Sequence, residues 1–212
     1  MPRLYLMRHG QTQFNEQKLV QGRINSPLTK QGIQQAQTAA LWFSNNHINF
    51  DYACSSITGR AAQTCDIVLK TIAQSSNDVH AQSIAEHLLQ QCPTRLTGLQ
   101  ERCYGTYEGK PMDLLPITPW EPKDILVPFG GESSEHTLTR MVSTLMTVMD
   151  DATHNAVLAV SHGSVNLAFL KYVLPYHEAQ HIKRLENCCI LIFDYNRENH
   201  TFSFVNKIEH SF

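Results

Sequence analysis

Two stretches of this sequence put a histidine where a strand-like run stops. Leu4, Tyr5, Leu6 and Met7 lead into Arg8-His9-Gly10, and the apolar run 155–160 leads into Ser161-His162-Gly163. A basic pair set directly behind buried apolar residues costs free energy unless an anion faces it. A neutral imidazole can attack phosphorus when its other ring nitrogen holds the proton and so aims the attacking lone pair. An arginine supplies planar, permanently charged donors that match equatorial phosphoryl oxygens. With Arg60 at the start of a helical segment, Arg8, His9, His162 and helix N-termini form a set that can bind a dianionic phosphate and support displacement at it. A leaving alkoxide also needs a proton, and the candidate donors are Glu101 and Glu108 in the stretch LQERCYGTYEG. The residues by themselves do not choose between those two carboxyl groups.

The elements that must position these groups can be traced along the chain. Residues 3–8 read as a strand, and QTQFNEQKLVQGRINSP follows as a polar loop. Thr29 stands as N-cap of a helix in which Ile33, Ala36, Ala40 and Phe43 share a face. FDYACSS is a second strand, and TGRAAQTCDIVLKTIAQ a helix with Ala61, Cys65, Val68 and Ile72 inward. HAQSIAEHLLQQ is a further helix in an extended segment, 70–93, expected to add a helix near the site, and TRLTGLQE is a strand. A loop rich in proline and glycine runs from Glu101 to Ser133, long enough to carry function. The helix SSEHTLTRMVSTLMTVMDDA, the strand NAVLAVS, the helix SVNLAFLKYVL and two closing strands, CCILIFDY and TFSFVNKIE, complete the chain. Alternating strands and helices, several strands continuously apolar, predict one α/β domain over 1–212 with three α/β/α layers and a mainly parallel sheet. Ligands of such sheets bind beyond the carboxyl ends of the strands. If strands 3–8 and 155–161 are neighbours, the two histidine-glycine turns share one rim.

Composition narrows the partners. The chain has 212 residues, 42% of them hydrophobic, and its 17 lysines and arginines are balanced by 19 acidic residues, so no overall field attracts nucleic acid or an anionic membrane. No leader segment or membrane-length apolar run is apparent, which predicts a soluble cytoplasmic protein. Six cysteines without a C-x-x-C pair read as packing residues in a reducing compartment. His177-Glu178-Ala179-Gln180-His181 matches the H-E-x-x-H pattern of zinc peptidases. That pattern needs one continuous helix and a third ligand, and Pro175 with no convincing third ligand points to a short surface helix instead.

Several motifs occur in a fixed order: R-H-G at 8–10, Asn15, Q-G at 21–22, P-L-T-x-x-G at 27–32, S-S-x-x-x-R-A-x-Q-T at 55–64, L-x-E-x-x-Y-G-x-x-E-G at 99–109, G-G-E-S at 130–133 and V-S-H-G at 160–163. This set resembles the histidine phosphatase superfamily, also called phosphoglycerate mutase-like, over nearly the whole chain. The resemblance implies a phosphohistidine intermediate on His9, with Arg8, Arg60 and His162 holding phosphate and Glu101 as proton donor. It also implies Asn15, Gln21, Gly22, Tyr104 and Gly163 on the substrate side, no metal or other cofactor, and a small phosphorylated metabolite as partner; monomer and dimer are both left open. Asn25 departs from the aspartate common in relatives before P-L-T. A phosphoglycerate mutase of this family clamps the substrate carboxylate with arginines after the glutamate loop. Here the segment 110–133 contains no arginine and only Lys110 and Lys123 as cations. The expected activity is therefore hydrolysis of a phosphomonoester, of sugar phosphate or bisphosphate type, with the mutase as the alternative.

Overall fold

The computed structural model describes residues 1–116, 118–121 and 123–209; Ile117 and Pro122 of the long loop lie outside the described residues. Strand β1 (Arg3–Arg8) sits inside a six-stranded sheet. Its neighbours are β4 (Ala156–Ser161), parallel to it with Arg8 level with Ser161, and the antiparallel β5 (Ile190–Asn196). Beyond β4 come β2 (Tyr52–Ser56) and β3 (Thr94–Leu96), both parallel, and β6 (Thr201–Ile208) closes the other edge against β5. The strand order is therefore β3-β2-β4-β1-β5-β6. The adjacency of β1 and β4 is the pairing that brings both histidine-glycine turns to one rim.

Alternation along β1 divides the core between two faces of the sheet. Tyr5 and Met7 pack with Ala36, Ala40 and Phe43 of α2 (Lys30–Asn45) and with Ala61, Cys65, Val68 and Ile72 of α3 (Gly59–Ser75). Leu4 and Leu6 pack with Met141 and Leu145 of α5 (Ser134–Asp150) and with Val165, Leu167 and Phe169 of α6 (Gly163–Val173). This is the three-layer arrangement expected. Each fully buried large side chain here contributes about 1.5–3 kcal/mol, and Phe43, touching both Tyr5 and Phe50 edge-on, is one such anchor.

Several expectations need correction. The loop after β1 contains a short helix, α1 (Gln13–Glu16), because Thr12 and Asn15 cap one another's backbone N–H groups. The stretch 94–101 is a strand only to Leu96; a 3-10 turn takes over at Thr97–Leu99 where the chain bends toward the rim. Helix α4 (Val79–Gln90) exists, but it does not approach the site. Its Ala81, Ala85 and Leu88 pack against Leu69, Ile72 and Phe50, which precedes β2, at the amino ends of the strands. Four cysteines are buried packing residues, whereas Cys92 is exposed and Cys103 half-buried. Helix α7 covers only Tyr176–Ala179, so His181 falls in the following turn and His177 and His181 do not share a helix face. Among the described residues no group of three metal-binding side chains forms, and no helix is long and apolar enough to cross a membrane.

Candidate active site

At the carboxyl ends of β1 and β4 lies a cavity of about 70 Å³ lined by Arg8, His9, Asn15, Gln21, Gly22, Arg60, Glu101, Tyr104 and Gly163. Nine of the ten residues that the family resemblance assigns to the site meet there. His162, the tenth, lies just behind the lining, fully buried, its ring centroid 5.1 Å from that of His9.

His9 is held at both nitrogens. Nδ1 lies 2.7 Å from the Gly10 carbonyl oxygen, a contact that places the proton on Nδ1. Nε2 accepts from Arg60 Nε at 3.2 Å, so its lone pair is the one presented to the cavity. Burial first, then the charges of Arg60 and Arg8, push His9 well below the ordinary histidine range and keep the imidazole neutral; the Gly10 carbonyl opposes them weakly. His162 is kept neutral in the same way, by burial and then by Arg60.

The arginines are fixed by backbone carbonyls. Arg60 donates from Nη1 to Ile24 O at 2.8 Å and from Nη2 to Gly22 O at 2.6 Å. Burial lowers it to about 10, with Glu101 pulling the other way, so it remains a cation at neutral pH. Arg8 donates from Nη1 to Leu185 O at 2.6 Å and lies 5.1 Å from the ring centre of Trp120. Among the described residues four buried side-chain nitrogens have no partner, and three of them belong to residues of the site or directly behind it: Arg8 Nε, His162 Nδ1 and the Gln21 amide Nε2, the fourth being Asn166 Nδ2. Unpartnered buried nitrogens are rare in folded proteins, and each one that carries a proton leaves a desolvation cost of roughly 1–3 kcal/mol for an acceptor to relieve.

The two carboxyl groups that residue chemistry alone left open have different settings. Glu101 receives Arg102 N (2.8 Å) and Val165 N (3.0 Å) at Oε1 and Ser164 N (3.0 Å) at Oε2, so it is seated on the N-terminus of α6 with one oxygen still able to take a second partner. Glu108 is occupied by Arg23 N, Ile24 N and Tyr104 N, tying the loop after α1 to the glutamate loop, and it does not line the cavity. Gly22 is required beside it: φ is +49°, and a Cβ would fall 2.2 Å from Glu108 Oε1.

The far wall is formed by residues the sequence reading did not pick. Leu19, Val20, Met112, Pro119 and Trp120 also line the cavity. Tyr104 holds this loop through a 2.6 Å bond from its hydroxyl to Pro119 O, and buried Arg102 donates to the carbonyls of Glu132 and Lys123 and to Ser134 Oγ. A Cβ on Gly163 would meet the Trp120 ring at 2.7 Å and Arg8 Nε at 3.1 Å, so only glycine lets that indole cover the site. Tryptophan and methionine inside a long loop were the available sequence signal. Asn187, also missed, donates to His9 O at 3.1 Å and Asn15 Oδ1 at 3.3 Å. Asn25 accepts Arg60 N at 3.1 Å and thereby caps α3 from outside it.

The histidine phosphatase superfamily (branch 1) matches residues 4–79 and 75–208. The chain belongs to this superfamily. Other histidine phosphatase superfamily proteins resemble it at moderate identity. A probable phosphoglycerate mutase, GpmB, of Proteus mirabilis is 29% identical over 200 residues, covering 92% of this chain and 86% of its own length. A broad-specificity phosphatase of Saccharomyces cerevisiae is 27% identical over 206 residues, covering 94% and 82%. The fold of this superfamily member matches the crystal structure of a Bacillus anthracis phosphoglycerate mutase with a TM-score of 0.78 at 22% identity, over 96% of this chain and 91% of the other.

Proposed function

We propose that this protein is a phosphomonoester hydrolase that passes the phosphoryl group through His9. The observation that carries the reading is the set of unpartnered buried nitrogens, Arg8 Nε, His162 Nδ1 and Gln21 Nε2, around a neutral imidazole whose lone pair is on Nε2, where only Arg60 Nε meets it. In the first step Nε2 attacks phosphorus as the ester P–O bond breaks. Arg8, Arg60 and His162 hold the equatorial oxygens, and Glu101 gives its proton to the leaving alkoxide. In the second step a water attacks the phosphohistidine and passes a proton to Glu101. The P–N bond breaks and inorganic phosphate leaves. Arg60 Nε must transfer its hydrogen bond from His9 to the incoming phosphoryl oxygen for the first step to begin.

Hydrolysis is favoured over phosphoglycerate mutation by the cations. Among the described residues lining the cavity only Arg8 and Arg60 are cationic. Lys110 lies over the Tyr107 ring, 5.4 Å from its centre, and Lys123 is exposed outside the lining. A substrate carboxylate, or a second phosphate, would have no counter-charge. The substrate expected is therefore a small metabolite carrying one phosphate, a sugar monophosphate being one such ester, with its remainder between the apolar wall and the amides of Asn15 and Gln21.

The reading is tested by rapid acid-free quench of the protein with a ³²P-labelled ester. Base-stable, acid-labile label should appear on His9 during turnover and be absent from His9→Ala. Substantial hydrolysis by that variant, or label elsewhere, overturns the assignment.

A further inference from the structure

The residues behind His162 assign it a fixed tautomer. Thr58 is the N-cap of α3, yet its hydroxyl makes no bond to that helix. An N-cap threonine ordinarily stabilises its helix by about 1 kcal/mol through such a bond. Here Asn25 supplies an acceptor to the first turn instead, at Arg60 N. The Thr58 Oγ1 atom lies 3.1 Å from His162 Nε2 and 3.2 Å from Ser56 Oγ, all three side chains being buried.

The direction of these bonds follows from counting protons. Ser56 Oγ accepts from Thr58 N at 3.3 Å, and the other partner within reach is Thr58 Oγ1. Fully buried, the Ser56 proton must go to that partner. Thr58 Oγ1 then accepts from Ser56 and directs its own proton at His162 Nε2. The opposite arrangement would leave the Ser56 proton without an acceptor and give His162 a bare lone pair at Nδ1, where a bound anion would be repelled.

We propose, resting on the phosphoryl-transfer reading above, that Ser56 and Thr58 are positioning residues that lock His162 as its Nδ1–H tautomer and so make it a hydrogen-bond donor to the phosphoryl group. Nδ1 is the ring nitrogen left without a protein partner. Because His162 is held neutral, it can donate from one nitrogen only, and the hydroxyl relay decides which.

The test uses protein labelled with ¹⁵N in its histidines and long-range ¹H–¹⁵N correlation, the His162 signals being assigned by their loss in His162→Asn. The wild type should show a protonated Nδ1 and an acceptor Nε2. Thr58→Val keeps the shape but removes the hydroxyl, and should move His162 to the Nε2–H form or a mixture. Inorganic phosphate should bind that variant more weakly, and kcat/KM should fall, each by roughly 10- to 100-fold, the value of one hydrogen bond to a charged group. Thr58→Ser should restore both readouts. If Thr58→Val does not fold, Ser56→Ala, which removes the donor that orients Thr58, should give the mixed tautomer. A wild-type Nε2–H signal, or a tautomer unchanged in Thr58→Val or Ser56→Ala, overturns the proposal. Absence of hydrolysis in every protein including the wild type would instead defeat the phosphohistidine reading, while the tautomer measurement still decides the relay.

Discussion

Arg60 Nε donates to His9 Nε2 across 3.2 Å, so the nitrogen proposed to take up the phosphoryl group and the guanidinium proposed to hold it are already in contact. The other two donors of Arg60 used in the structure go to Ile24 O and Gly22 O, which fixes the plane of its fork. A lysine would keep the charge but neither the plane nor those two bonds. Arg60→Lys should therefore lose roughly 10²-fold in kcat/KM on an aryl phosphate, about 2.7 kcal/mol of transition-state stabilisation. Steady-state kinetics of Arg60→Lys beside Arg60→Ala check this, and a lysine variant within threefold of the wild type would contradict the fork argument.

Glu101→Gln keeps the size of the side chain and one of the two oxygens that receive Ser164 N and Val165 N, but it cannot give up a proton as a carboxyl does. Alkyl phosphates, whose alkoxides leave poorly, should slow by roughly 10²–10⁴, the usual contribution of general acid catalysis, and p-nitrophenyl phosphate much less. Equal losses on both ester types would remove Glu101 from the donor role.

The apolar far wall and the two-cation lining predict the fate of phosphoglycerate. Given labelled 3-phosphoglycerate and a bisphosphoglycerate primer, the protein should release inorganic phosphate from whatever it accepts and form little 2-phosphoglycerate. Rapid interconversion of the two phosphoglycerates without net phosphate release would establish the mutase instead.

Glu132 connects the loop to α5 by accepting from Arg140 Nε at 2.7 Å and Nη2 at 2.9 Å, with Arg23 3.4 Å away. Burial alone would raise its carboxyl, but the Arg140 bonds and the charges of Arg140 and Arg23 outweigh it and hold the group at about 2 against an ordinary 4.5. A depressed folded value stabilises the protein above pH 4.5 and loses that stabilisation as pH falls toward 2. Glu132→Gln should cost about 3 kcal/mol at pH 7, the lower end for breaking a buried pair. Denaturant titrations should show the gap from the wild type narrowing between pH 4.5 and 2. A gap independent of pH would mean that packing, not charge, is what the glutamate supplies.

Much of the site was legible in the sequence because strand chemistry is local. An apolar run that ends in a histidine-glycine pair marks the carboxyl end of a strand, and the sheet rule sends ligands to that rim. His9 and Arg60 were therefore readable as cavity residues, and the ordered motifs named the superfamily. The inward stripe Ala61, Cys65, Val68 and Ile72 was likewise a matter of helical period, and all four are buried.

What the tertiary structure alone decided depends on contacts between residues far apart in the chain. Residue chemistry left Glu101 and Glu108 level and the family resemblance chose Glu101; the fold supplies the physical difference, since one is seated on the N-terminus of α6, more than 60 positions away, and the other is spent on the backbone of residues 23, 24 and 104. Trp120 over Arg8, Asn187 on the His9 carbonyl and Thr58 turned from its own helix to His162 follow no local period, because each bond closes a long loop whose ends are brought together by the sheet. The sequence thus specified which groups could do the chemistry; the sheet order β2-β4-β1 specified which of their atoms were left free to do it.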